Sequence, residues 1–79
     1  MSDEIGRAQE LAERLGAEGH AEAAERVHQA TLGERIGDEF FGALRAACQF
    51  ALTTIEALDP KTELLAEELR LEIDKRLSR

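Results

Sequence analysis

The sequence predicts an all-α fold, a compact bundle of four helices, and three observations carry that prediction. Ala, Leu, Glu, Arg and Lys, which all favour helix, supply 47 of the 79 residues, whereas Val and Ile together supply five. Apolar residues recur at spacings of three and four, the period of a helix buried on one side. Glycines, and one Asp-Pro step, punctuate the pattern in three places. A chain this short makes one domain, residues 1–79, and can bury only roughly 60% of its unfolded surface. Its single cysteine excludes an internal disulfide, so helix packing or a partner must supply stability.

Ser2 is placed as N-cap of the first helix, in which Ile5, Ala8, Leu11, Ala12 and Leu15 repeat at helical spacing as far as about Leu15. Gly16 and Gly19 bracket a break. His20 to Ala30 then repeats the pattern, with Ala24, Val27 and Thr31 on one side, to make an αα-hairpin. Thr31 to Glu34 matches a capping box, but Gly33 and Gly37 favour a loop anchored by Leu32 and Ile36. Asp38 is expected to cap a long, central third helix that continues to the Asp59-Pro60 step. Asp59 caps the fourth helix, with Pro60 at its first position, and that helix runs to about Leu77. Glu67 with Arg70, and Glu72 with Lys75 and Arg76, are expected to form exposed charge pairs along it.

At about 100° per residue, the third helix has two apolar faces. Phe40, Leu44, Ala47, Cys48, Ala51, Ile55 and Leu58, flanked by Phe41 and Leu52, suit packing on the other three helices. A second face carries Ala43, Ala46, Phe50 and Ala57, where Phe50 is a large knob among small residues. The fourth helix repeats the theme, with Leu65, Leu69, Ile73 and Leu77 inward and Leu64 and Leu71 on another side. Apolar faces beyond what one small core needs point to a subunit interface, so Ala43, Ala46, Phe50, Ala57, Leu64 and Leu71 are its candidate contacts.

Composition excludes several functions. A formal charge of −7 opposes contact with nucleic-acid phosphates and anionic lipid. The apolar window from Phe40 to Leu58 contains Arg45, Gln49 and Glu56, which argues against a membrane span. The opening Met-Ser-Asp-Glu lacks the features of a secretory signal, and Cys48 lies in an apolar run, as a buried reduced thiol would; a cytoplasmic location is expected. Glu25-x-x-His28 puts a carboxylate and an imidazole on one helical face, the spacing that di-iron bundles use twice, and a homodimer would hold two copies. The third helix offers no inward Glu to complete such a site, so His28 is read as a boundary residue beside Ala24 and Thr31. His20 is read as a capping or turn residue. The carboxylates Glu10, Glu13, Glu18, Glu22 and Glu25 spread over the outside of the hairpin without a Ca²⁺-loop pattern. No cofactor and no catalysis are expected.

The run Gly19-His20-x-Glu22-x-Ala24-x-Arg26, followed by Gly37-Asp38-Glu39-Phe40-Phe41-Gly42-Ala43-Leu44-Arg45 and Pro60, resembles small uncharacterised bacterial helical proteins. Those have a Gly-His hairpin, a Gly-Thr-Glu helix start and an Asp-Pro-opened helix. Asp38 stands where Thr is usual, and Gly42 where a larger residue is. The resemblance implies a bacterial origin and a helical fold, and transfers no activity. The expected function is a small acidic protein-interaction module that homodimerises. Two alternatives are a metal-binding dimer using Glu25 and His28, and an acidic antagonist of a basic or nucleic-acid-binding protein.

Overall fold

The computed structural model describes residues 3–32 and 37–77. They form α1 (Asp3–Ala17), α2 (Ala21–Leu32), α3 (Gly37–Thr54) and α4 (Pro60–Leu77). The expected cap at Ser2 and anchor at Ile36 lie outside the described residues, as does Glu34 of the capping box.

The hairpin turns on Gly19 alone. Its φ of 87° lets the Gly19 N–H bond the Gly16 carbonyl (3.1 Å) while the His20 N–H bonds that of Leu15 (2.8 Å), the Schellman closure that a left-handed residue permits. Gly16 is therefore inside α1 and does not bracket the break. The carbonyl of His20 accepts the first bond of α2, from the Ala24 N–H (2.9 Å). That helix continues two residues past Ala30, taking in the start of the expected loop, and the Thr31 hydroxyl donates back to the His28 carbonyl (2.7 Å). Leu32 emerges on the outer side, 61% exposed, and anchors nothing.

α3 opens at Gly37, so Asp38 lies one residue inside the first turn, where its charge suits the positive helix end, and is not the cap. The same helix stops at Thr54, short of the expected Leu58. The β-branched run Thr53-Thr54-Ile55 lies at its end, where the Thr53 hydroxyl donates to the Gln49 carbonyl (2.8 Å) and the Ile55 N–H still reaches the Ala51 carbonyl at 3.3 Å. Residues 55–59 form the connection to α4. There Asp59 caps as expected, its carboxylate accepting the Lys61 N–H (3.1 Å) and its carbonyl the Glu63 N–H (2.8 Å).

Each helix packs on its neighbours in sequence, and α4 closes the ring against α1, in a body of 33 × 22 × 22 Å. Contacts between Glu4 and Arg76, and between Glu18 and Thr62, show α1 and α4 antiparallel. α3 is thus one corner of an up-and-down bundle, resting chiefly on α2 and α4, and not a central helix packed on three. Leu11, Leu15, Val27, Leu44, Leu69 and Ile73 fill the core, and Ala8, Ala23, Ala30, Ala47, Ala51 and Ala66 sit buried between them. The inner stripe of α2 is Ala23, Val27 and Ala30, and that of α4 is Thr62, Ala66, Leu69 and Ile73; Ala24, Thr31, Leu65 and Leu77 are half-buried beside them.

Candidate functional site

On the second face of α3, Ala43 and Phe50 are half-buried and Ala46 is exposed. The Arg26 guanidinium of α2 lies over the Phe50 ring, 4.0 Å from its centroid, so the half-buried phenyl already has a cationic cover. Ala43 and Ala46 border a shallow hollow of about 340 Å³ beside Arg26. Ala57 is not on this face at all, because α3 has ended, and it is exposed in the connection to α4.

Leu64 and Leu71 lie one heptad apart on the outer side of α4, 55% and 52% exposed. Glu67 and Glu68, both exposed, flank this stripe. Arg7 and Lys75 stand beside Leu71 around a hollow of about 270 Å³.

Glu25 and His28 are exposed on α2 and border an open groove of about 560 Å³ between α1 and α2. Its floor is small, Ala12, Gly16 and Ala24, its far rim carries Glu13, and Leu32 stands at the end away from the Gly19 turn. Glu25 accepts from the Gln29 amide (2.6 Å). Among the described residues no group of three His, Cys, Asp or Glu side chains could hold a metal ion.

Polar contacts that sequence reading did not find tie distant helices. Glu4, its side chain 4% exposed, accepts from Arg76 Nε (2.5 Å), and Arg76 also lies 5.5 Å from the centroid of Phe41. The buried Thr62 hydroxyl donates to Glu18 (2.5 Å). Asp74 joins Arg45 of α3 to Arg70 of α4 (3.6 Å to the latter) and Arg76 reaches Glu4 of α1, where pairs with Glu67 and Glu72 were expected. Cys48 has no exposure, and burial pushes its thiol up to about 12 despite the nearby Arg70 charge, so it stays protonated and inert as a nucleophile. Among the described residues no helix is long and apolar enough to cross a membrane. No protein-family model, curated protein or solved structure matches the chain.

Proposed function

We propose that this chain is a non-catalytic protein-interaction module that pairs with a second copy through the outer side of α4. The observation that carries this reading is the exposure of Leu64 and Leu71, two large apolar side chains on one stripe of a helix whose other side already fills the core. Burying four half-exposed leucines contributes about 1 kcal/mol each, which only offsets the low end of what association costs, so pairing also has to cover the apolar stems beside them on α4. The pairing is therefore weak and governed by concentration. It also brings Glu67 and Glu68 of both copies together, so salt, which screens like charges, strengthens it. A reduced, buried Cys48 fits the cytoplasmic setting that accompanies this proposal, and a bacterial origin remains part of it.

The test is sedimentation equilibrium on substituted chains. Leu64→Glu and Leu71→Glu each abolish the concentration-dependent rise in mass, while Phe50→Ala leaves it in place because Arg26 already covers that ring. Loss of pairing in Phe50→Ala alone would move the interface to α3 and overturn the assignment to α4.

A further inference from the structure

The hairpin's carboxylates differ in how they are compensated. Glu10 and Glu22 each meet an arginine one turn along, Arg14 at 3.2 Å and Arg26 at 3.4 Å. Glu13 and Glu25 have no cation within ion-pair distance among the described residues, and these two face each other across the α1–α2 groove. Among the described side chains Glu18, the remaining hairpin carboxylate without a cation, accepts from the Thr62 hydroxyl on the α4 side, so two of the three cation-free carboxylates border the open space of the groove. A Cβ placed on Gly16 would meet only the Ala24 Cβ, at 3.9 Å, so the floor lies open to an incoming side chain. Leu32, 61% exposed, gives the groove an apolar end.

We infer that the α1–α2 groove docks a basic amphipathic helix of another protein. Lysines or arginines on the flanks of that helix meet Glu13 and Glu25, one apolar side chain enters over Ala12, Gly16 and Ala24, and a second packs on Leu32. Helix-in-groove recognition has this pattern of apolar anchors at three and four spacing with charged flanks. Charge complementarity selects the occupant: a second copy of this chain, at −7, brings mainly like charge to the rims. This docking surface is separate from Leu64 and Leu71, so it stands or falls independently of the pairing on α4.

The experiment titrates the ¹⁵N-labelled full chain with a Leu/Lys amphipathic peptide of about 18 residues, long enough to form a helix, and with the same peptide carrying Glu for Lys. Amide shifts are expected at Ala12, Gly16, Ala24, His28 and Leu32 with the lysine peptide only. Glu13→Gln with Glu25→Gln should weaken binding by about fivefold to tenfold, since exposed pairs are individually modest. Glu67→Gln with Glu68→Gln, away from the groove, should change it by less than about twofold. Gly16→Leu fills the floor and should abolish binding while the thermal midpoint holds or rises, because Leu favours helix over Gly. The inference is overturned if the shifts centre on Leu64 and Leu71, if the two Glu→Gln pairs weaken binding equally, if Gly16→Leu binds like the parent, or if no shifts appear at millimolar peptide.

Discussion

α1 has two long seams, and they are built differently. Against α4, 72 residues away in sequence at one end and 44 at the other, it is clasped by Glu4 to Arg76 and by Glu18 to Thr62. Against α2 no side-chain hydrogen bond or ion pair crosses between the helices among the described residues, and small side chains line an open groove. Chain connectivity contributes to the contrast without deciding it alone, since the α3–α4 seam follows a short connection and still carries the Arg45–Asp74 pair. The Gly19 turn holds α1 beside α2 at little entropic cost, whereas closing the ring with α4 orders the whole intervening chain and leaves register to be fixed by specific contacts. A seam that needs no polar clasp is free to be used for something else.

Substitutions that break or sharpen this contrast fall in a clear order. Leu11→Ala, on the buried stripe of α1 between the two seams, should cost about 2–5 kcal/mol in urea unfolding. A loss well under 1 kcal/mol would mean that α1 is not packed as described. Arg76→Ala removes the guanidinium that holds the buried Glu4 carboxylate and lies beside Phe41, and should cost about 1–3 kcal/mol. If the same substitution is silent in thermal unfolding, the clasp does not fix the ring. Thr62→Val keeps the shape and deletes the bond to Glu18, at about 1 kcal/mol, because the exposed carboxylate returns to water. Gly16→Ala, in the open seam, should be neutral or stabilise by up to about 1 kcal/mol, since its new methyl makes only ordinary contact with Ala24. A drop in melting temperature for Gly16→Ala would show that the groove is closed in solution.

The helix count, the αα-hairpin and the Asp59-Pro60 start of α4 were all legible from local signals, since caps and glycines act within a few residues of themselves. The end of α3 was hidden by the apolar pattern continuing through Ile55 and Leu58, because periodicity reports which side is buried and not where the backbone leaves the helix. Phe50 read as an unpartnered knob because its cover, Arg26, belongs to another helix. Glu4 and Thr62 could have been found. Glu4 falls on the stripe of Ala8, Leu11 and Leu15, and Thr62 on that of Ala66, Leu69 and Ile73, and a polar residue in register with a core stripe signals a buried partner even when its identity depends on the fold.

The pairing of two copies through α4 is tested most directly by light scattering with refractive-index detection, suited to a chain without Trp or Tyr, across a wide concentration range at low and raised salt. The account predicts a mass that starts at 8.7 kDa and climbs toward twice that value with concentration, further at raised salt. A mass fixed at 8.7 kDa under every condition would contradict it and leave Leu64 and Leu71 without a second copy to meet.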